Sequence, residues 1–315
     1  MDTRFWGPSG WKLLHLITFT YKYSPTNAIT HAQFLESIPY ILPCKFCRAS
    51  LTDFYKEYPF ETYVNISPNV DLSKWMYNIH NCVNDKLRKQ GLNPSANPKF
   101  ADVKKFYKKW TRCEWQEQLN TTWDFLFAVA YNHPKEASRH SKPMPNCPSD
   151  VYKCKDKCEK NKWNVLSTKD RIYWFRRFWS FLPAVLPAAA ATEWEKVEKL
   201  NPPTLDCRRS TLAWLWRMRC TLDTKFKDPY TSICQKVAAH SSDCGKTHTA
   251  TTCRKKKRLS HRTNNKRLSR RTNNKRLSRH TNNKRLSRHT NNKRLSRHTI
   301  KKRLSRRTIK KRKIV

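Results

Sequence analysis

The last fifth of this 315-residue chain is not expected to fold, because it holds positive charge without negative partners. Residues 254–315 contain 28 of the 66 Lys and Arg residues and none of the 23 Asp and Glu residues. Unpaired like charges repel each other and keep a segment disordered. The body, residues 1–253, holds all 12 Trp and all 12 Tyr residues, and it is long enough for one large domain or two ordinary ones.

This basic tail is a repeat of nine residues, with NNKRLSRHT as its most frequent unit and Leu as its only regular apolar position. Nine residues advance a helix by about 180° beyond whole turns, and they also reverse the face of a strand. Successive leucines therefore cannot form one apolar stripe, and we predict a disordered polycation. It either binds nucleic acid or another polyanion nonspecifically or serves only as a solubilising or packaging tail.

The composition of the body excludes several classes of protein. Four glycines in the whole chain are too few for a Rossmann or P-loop enzyme or for an all-β fold with many tight turns. The amino terminus lacks the apolar region of a signal peptide. The longest uncharged apolar run, residues 178–192, is shorter than the roughly 20 residues of a membrane span. We predict a buried helix or helix hairpin there; a span is disfavoured but stays open, because Trp and Arg residues flank one end.

Apolar spacing and turn residues predict five helices in residues 1–112, over about 8–23, 28–38, 44–58, 72–89 and 98–111. No segment there reads convincingly as a strand, so the fold class is all-α, with a helical bundle. Residues 113–253 are also predicted to be mostly helical. Their clearest helices are 123–131, 172–179 and one from about Thr211.

Cys44 and Cys47 form a C-x-x-C motif at the start of the third predicted helix. The helix dipole and Lys45 both favour thiolate, the nucleophile in disulfide exchange. A zinc site of the usual kind needs a second pair of ligands at matching spacing, which residues 1–112 lack, so we predict no metal there. A thioredoxin fold needs a strand before the motif, and residues 39–43 are too short and bounded by prolines. The motif indicates redox chemistry.

Three linked motifs together resemble the Erv/ALR family of FAD-linked sulfhydryl oxidases, in the style of members encoded by large DNA viruses. They are G-x-x-x-W-x-x-L-H from Gly7 to His15, the C-x-x-C motif, and H-N-x-V-N-x-K-L from His80 to Leu87. Their order and spacing match the family over about a third of the chain. The resemblance implies a four-helix bundle that wraps FAD, with a short fifth helix, usually as a homodimer.

The resemblance also implies roles for particular residues. Cys47 would lie against the isoalloxazine ring, and Cys44 would be the interchange cysteine, open to substrate. The FAD contacts would be Gly7, Trp11, His15, Tyr21, Tyr77, His80, Asn81, Val83, Asn84, Lys86 and Lys89. The last two would lie near the adenine nucleotide, where their charge suits the pyrophosphate.

Nine further cysteines follow residue 112, at positions 113, 147, 154, 158, 207, 220, 234, 244 and 253. Three interpretations stay open for them. We favour structural disulfides, then a shuttle pair that relays electrons to Cys44, as in some members of the family. The third is a zinc site built on Cys147, Cys154 and Cys158. Cys82, inside the third motif, is expected to be a free buried thiol.

The predicted organisation is an oxidase domain over 1–112, a second helical, cysteine-containing domain of unknown family over 113–253, and the disordered repeats over 254–315. The predicted function is an FAD-dependent thiol oxidase that forms disulfides in protein dithiols and passes the electrons to O₂, giving H₂O₂. The alternative is a non-enzymatic polyanion-binding or virion packaging protein with a degenerate oxidase fold. In both cases the expected location is the virion or the host cytoplasm.

Overall fold

The computed structural model describes residues 1–59, 71–92, 95–135 and 168–241. Every regular element in these ranges is an α-helix, which confirms the all-α prediction. The helices are α1 (Thr3–Thr20), α2 (Pro25–Ile41), α3 (Lys45–Glu57), α4 (Leu72–Lys89), α5 (Phe100–Trp110), α6 (Trp115–Asn120), α7 (Trp123–Asn132), α8 (Thr168–Val185), α9 (Ala188–Leu200), α10 (Arg208–Leu222) and α11 (Tyr230–Ala239).

Helix α1 begins five residues before the predicted start at Pro8, so that prediction is wrong. The carboxylate of Asp2 caps the helix by accepting a hydrogen bond from the backbone N–H of Arg4 at 3.0 Å. A capped amino terminus satisfies a backbone donor that would otherwise have no partner. The cap thus outweighs the preference of proline for a first turn, and Pro8 lies inside the helix.

Helix α2 continues through Pro39 to Ile41, although the prediction ended it at Ile38. A proline inside a helix leaves the carbonyl four residues earlier without its usual donor. That carbonyl belongs to Leu35, and the hydroxyl of Tyr55 on α3 donates to it at 3.2 Å. A partner 20 residues away therefore satisfies the backbone group that the proline leaves unpaired, and the helix continues for one more turn.

The helices of residues 1–112 pack with helices from beyond that range. α4 packs on α1 and α3, α5 packs on α1, and α2 packs on α3 and, over its length, on α8. At the interface between α2 and α8, Phe34 lies 5.3 Å from Phe178 and Tyr40 stacks on Trp174 at 3.8 Å, between ring centroids. α7 packs on α1 as well. One hydrophobic core thus spans both parts of the body.

Residues Met1–Lys255 form one compact unit. Residues 256–315, which hold the nine-residue repeats, lie outside the described residues. The predicted boundary after residue 112 stays a prediction. In the described part of the body, the helices on either side of it share their core.

The apolar run 178–192 forms a helix hairpin, as predicted. α8 ends at Val185, α9 begins at Ala188, and Pro187 is the residue that precedes the second helix. Phe178, Trp179 and Leu182 are buried in the core. Within the ranges that the structure describes, no helix is both long enough and apolar enough to span a bilayer.

Gly10 allows α1 and α7 to approach closely, and replacing it should destabilise the protein. A Cβ atom at Gly10 would lie 3.0 Å from Cδ2 of the Phe125 ring, whose side chain is fully buried. We expect Gly10→Ala to lower the free energy of unfolding by about 1–3 kcal/mol, the usual cost of overpacking. Gly7→Ala is the matched control, because a Cβ there meets no atom within 4 Å. Urea denaturation of the two variants measures the difference, and equal stabilities would contradict the close packing.

Candidate active site

The C-x-x-C motif lies at the junction between α2 and α3, where Cys44 is the residue that caps α3. The backbone N–H of Cys47 donates to Sγ of Cys44 at 3.3 Å. Both cysteines are free thiols in the structure. A sulfur in this position receives a backbone hydrogen bond and lies at the positive end of the helix dipole, and both interactions favour thiolate.

The two sulfurs ionise differently in the reduced state. Burial raises the pKa of Cys44, but hydrogen bonds from the side chain and backbone of Cys47, the N-terminal ammonium and Arg48 outweigh it and lower the pKa to about 6. The hydrogen bond with Cys44, burial and the charge on Cys44 all raise the pKa of Cys47 well above its usual range. At neutral pH the reduced pair therefore holds its negative charge on Cys44.

Cys44 is 2% exposed, so the expectation that it is open to substrate is wrong. The adjoining Leu42 and Pro43 are buried too. The ammonium of Met1 donates to the carbonyl of Pro43 at 2.7 Å and brings the first residues of the chain against this turn. Sequence spacing does not reveal such packing, because the group that lies against the motif comes from 42 residues away.

A cavity of about 380 Å³ lies next to Cys47, between α1, α2, α3 and α4. Cys47 lines it, whereas Cys44 does not. Seven of the predicted site residues line the cavity: Gly7, Trp11, Cys47, His80, Val83, Asn84 and Lys86. The spacing of the motifs on α1 and α4 has thus brought these residues to one apolar space beside the redox turn.

Stacked rings form one side of this cavity. Trp11 stacks on His80, with ring centroids 3.8 Å apart and an angle of 11° between the planes. Nε2 of His15 lies 3.0 Å from Nδ1 of His80, and the His15 ring stacks on Tyr107 at 4.8 Å. Burial, and for His15 also the neighbouring His80, lowers the pKa of His15 to about 3 and that of His80 to about 4. Both imidazoles are neutral at physiological pH, so this side of the cavity is uncharged.

Sequence comparison identifies the family. The model of the Erv1/Alr family matches residues 8–111, which include the three motifs. An FAD-linked sulfhydryl oxidase described for Invertebrate iridescent virus 6 is 32% identical over 102 residues, which are 30% of this chain and 91% of that protein. The chain belongs to the Erv1/Alr family.

Two other relatives are matched over less of their length. An FAD-linked sulfhydryl oxidase described for Acanthamoeba polyphaga mimivirus is 35% identical over 86 residues, 27% of this chain and 59% of that protein. The mitochondrial FAD-linked sulfhydryl oxidase of Saccharomyces cerevisiae is 32% identical over 111 residues, 35% of this chain and 52% of that protein. The chain thus spans between half and three fifths of the length of these two relatives. No solved structure matches it.

Other residues that the Erv1/Alr motifs single out lie away from the cavity lining. Tyr21 packs edge-on against His31 at 4.7 Å, and its hydroxyl is buried with no partner among the described residues. The hydroxyl of Tyr77 donates to the carbonyl of Pro98 at 2.9 Å on the surface. Lys89 is exposed, and Asn81 is half-buried on α4. The predicted cofactor contacts of these residues, and of His15 behind His80, stay predictions.

Lys86 lies on the cavity lining beside α3. Its ammonium donates to Oγ of Ser50 at 2.5 Å and to the carbonyl of Phe46 at 3.3 Å. It is also close enough to favour thiolate at Cys47. The family resemblance implied that Lys86 lies near the pyrophosphate of FAD, and that role stays a prediction. In the structure its ammonium lies beside α3, the helix that begins at the C-x-x-C motif.

Several residues of this site belong to none of the three sequence motifs. Trp6 and Phe125 line the cavity, and Nε1 of Trp6 is buried with no partner in the part of the chain that the structure describes. Trp6 precedes the first motif residue, Gly7, so its place on the same helix could have indicated it. Phe125 belongs to α7, beyond the matched residues, and only the tertiary packing of α7 on α1 brings it to the site.

The other described cysteines form no disulfide. Cys113, Cys207, Cys220 and Cys234 are free in the structure, so the favoured prediction of structural disulfides finds no pair among these four. Cys82 is a free thiol, as expected, but it is half-buried and not buried. Cys147, Cys154, Cys158, Cys244 and Cys253 lie outside the described residues, and so do the shuttle and zinc interpretations that use them. No group of three or more metal-binding side chains occurs within the described ranges.

Cys207 should be more reactive than Cys220. Cys207 caps α10, and hydrogen bonds from the side chain and backbone of Ser210 lower its pKa, whereas burial raises the pKa of Cys220. Since thiolate is the reactive form, we expect iodoacetamide to label Cys207 several-fold faster at pH 7.5. Mass spectrometry of timed digests measures both rates. Faster labelling of Cys220 would contradict the assignment.

Proposed function

We propose that this protein is an FAD-dependent thiol oxidase that forms disulfides in protein dithiols. The observation that carries the proposal is the placement of Cys47 on the lining of a cavity that also holds Trp11 and His80. The names of the relatives support the activity and the cofactor. Protein dithiols and O₂ are the proposed substrates, and H₂O₂ is the proposed product.

The residues around the cavity fit FAD in two respects. The lining is mostly apolar, which suits a planar ring system, while the stacked Trp11 and His80 supply flat aromatic faces. The lining also holds polar groups that a cofactor could engage, namely the unpartnered Nε1 of Trp6, the amide of Asn84 and the ammonium of Lys86. FAD, when bound, would accept two electrons from a dithiol and deliver them to O₂.

The residues of this chain would perform the exchange with substrate. A substrate thiolate attacks Sγ of Cys44 and a mixed disulfide forms there, while the bond between Cys44 and Cys47 breaks and Sγ of Cys47 leaves with the electron pair and takes up a proton. The second substrate thiol then releases Cys44 as a thiolate. The N–H of Cys47 and the amino terminus of α3 stabilise this thiolate, so in the mixed disulfide Cys44 is a better leaving group than the substrate sulfur. Because Cys44 is buried, substrate must first displace the groups that pack on the turn.

Cys47 would perform the second task. Of the two cysteines, Cys47 is the one that reaches the cavity, so electrons from the reduced pair would leave through its sulfur. The hydrogen bond with Cys44, burial and the charge on Cys44 hold the pKa of Cys47 well above its usual range, and Lys86 and Arg48 offset only part of this rise, so Cys47 must lose its proton in this step. His80, which lines the cavity, and His15 behind it are neutral, so neither adds a charge there.

Oxygen consumption tests the proposal. The purified protein, supplied with FAD, should consume O₂ when dithiothreitol is added, with one H₂O₂ formed for each disulfide. A well-folded protein that binds no FAD and consumes no O₂ above the buffer rate would overturn it. We further propose that the enzyme acts as a homodimer. We also propose that it is located in the virion or the host cytoplasm, because two of the relatives named above are viral proteins.

A second activity is proposed for the tail on the basis of its charge. The 28 basic residues of 254–315 would bind nucleic acid or another polyanion by releasing counterions. We expect the affinity of the full chain for duplex DNA to fall by about 10³-fold or more between 50 and 200 mM salt. A chain that ends at residue 253 should lose most of this binding and keep its thiol oxidation. Equal DNA binding by the two chains in a filter assay would contradict the role of the tail.

A further inference from the structure

Two side chains from different parts of the chain converge on the carbonyl of Leu42, two residues before Cys44. Nη1 of Arg48 donates to it at 2.7 Å, and Nδ2 of Asn132 donates to it at 3.4 Å. Arg48 directly follows Cys47, and its backbone N–H donates to the carbonyl of Cys44 at 3.0 Å. Its side chain therefore folds back along the motif and holds the carbonyl of Leu42, two residues before the motif.

Helix α8 supports this arrangement from outside the matched family region. Nη2 of Arg171 donates to the carbonyl of Asn132 at 2.7 Å. The next carbonyl, that of His133, accepts from Nε of Arg208 at 3.2 Å. These bonds hold the end of α7 in place, so that the amide of Asn132 reaches Leu42. The redox turn is thus fixed by α7, α8 and α10, all beyond residue 111.

The charges that face the two sulfurs are positive. The N-terminal ammonium and Arg48 act on Cys44, and Lys86 and Arg48 act on Cys47. Burial lowers the pKa of the N-terminal ammonium, so this group loses its charge at a lower pH than usual. Burial, and then the neighbouring Arg171, lower the pKa of Arg48 to about 10, so it remains a cation at neutral pH. Asp2 acts on the N-terminal ammonium rather than on the sulfurs, and it is bonded to Arg4. Cations around a buried dithiol favour its reduced, ionised state, in which Cys44 carries a negative charge, over the uncharged disulfide.

We propose that Arg48, held on the Leu42 carbonyl with Asn132 and Arg171 behind it, is a positioning residue that stabilises the reduced Cys44–Cys47 pair and makes its disulfide more oxidising. In the exchange, the Cys44–Cys47 bond breaks and takes up two electrons from two substrate thiols, which join as a disulfide. One of their two protons stays on Cys47 and the other goes to solvent, leaving Cys44 as thiolate. A cation that stabilises this thiolate raises the reduction potential of the pair. This inference rests on the proposed function in one respect, namely that the Cys44–Cys47 pair oxidises substrate thiols.

Equilibration with glutathione tests the proposal on the full chain under anaerobic conditions. Alkylation followed by mass spectrometry gives the ratio of reduced to oxidised pair, and hence an equilibrium constant with glutathione. We expect Arg48→Met to lower this constant about tenfold at pH 7.5, equivalent to about 30 mV. Arg48→Lys should restore most of it, because the charge is kept. Arg219→Met is the matched control, since that guanidinium packs on the Phe226 ring at 3.9 Å and should leave the constant unchanged.

The pH dependence separates this electrostatic role from a merely structural one. Once Cys44 is ionised, each exchange releases up to one proton, so the constant of the unaltered chain should rise between pH 6.5 and 8, by as much as tenfold per pH unit. The N-terminal ammonium, whose pKa burial lowers and the thiolate of Cys44 raises, reduces this slope where it titrates. In Arg48→Met the rise should begin at a higher pH. A constant of the unaltered chain that does not change with pH would overturn the proposal even if Arg48→Met failed to fold. An unchanged constant in Arg48→Met, or an equal loss in Arg219→Met, would overturn it too. Exchange with glutathione does not depend on O₂ consumption. A protein that lacks oxidase activity would therefore contradict the proposed function without contradicting this inference.

Discussion

Cys47→Ser is expected to reduce the oxidation of dithiothreitol by roughly 10³-fold or more, the usual scale for removing an essential catalytic group. Without Sγ of Cys47 no disulfide can form with Cys44, and no sulfur of the pair reaches the cavity. The serine is close in size, so the fold and the cavity should persist. The loss should appear as an O₂ consumption rate indistinguishable from the buffer, measured with an oxygen electrode.

Cys82→Ser is the matched control for this variant. Cys82 is also a half-buried free thiol, but it does not line the cavity. Its replacement should leave the rate within about twofold. Retention of more than a tenth of the activity in Cys47→Ser would show that another thiol carries the electrons, and the assignment of the C-x-x-C motif would then be wrong.

Phe178→Ala is expected to lower the free energy of unfolding by about 3–5 kcal/mol, since it removes a fully buried aromatic side chain and leaves a cavity. Phe178 lies on α8, yet its ring contacts Phe34 on α2 at 5.3 Å and Phe125 on α7 at 6.4 Å. For a body of this size the melting temperature should fall by roughly 6–20 °C. Circular dichroism follows the helices, and flavin fluorescence follows release of the cofactor.

The two signals should change together. Because α2 and α8 share one core, the loss of packing at Phe178 should release the flavin and unfold the helices in a single transition. Phe106→Ala is the matched control, since Phe106 is 56% exposed and its loss should cost at most about 0.5 kcal/mol. Two separate transitions, with only one of them shifted by Phe178→Ala, would show that residues 113–253 are an independent domain.

Short-range patterns in the sequence were sufficient to predict the centre of the site. Helical spacing placed Tyr77, His80, Asn81 and Asn84 on one side of α4, and the structure finds His80 and Asn84 on the cavity lining but not Tyr77 or Asn81. Val83, named only through the family resemblance, lies on the lining too. The bounds of α4 are those that were predicted, because Asp71 caps its start with hydrogen bonds to the backbone and three basic residues follow in its last turn. Local chemistry alone determines such features.

Contacts between distant segments could not be predicted from one sequence. The amide of Asn132 reaches the carbonyl of Leu42 across 90 residues, and Arg171 supports it from a further helix. The burial of Cys44 depends in the same way on packing by the start of the chain. Nothing in the spacing of these residues identifies their partners, because the partners are set by how α7 and α8 pack on α1 and α2.

An anaerobic titration with dithiothreitol, followed by visible absorbance, tests the central claim most directly. The protein loaded with FAD should show the absorbance of oxidised flavin, lose it after transfer of one pair of electrons beyond those that reduce the C-x-x-C disulfide, and regain it in air. In Cys47→Ser the absorbance should persist over the same time. A folded protein that stays colourless after exposure to FAD, or a bound flavin that stays oxidised in excess dithiothreitol, would contradict the account.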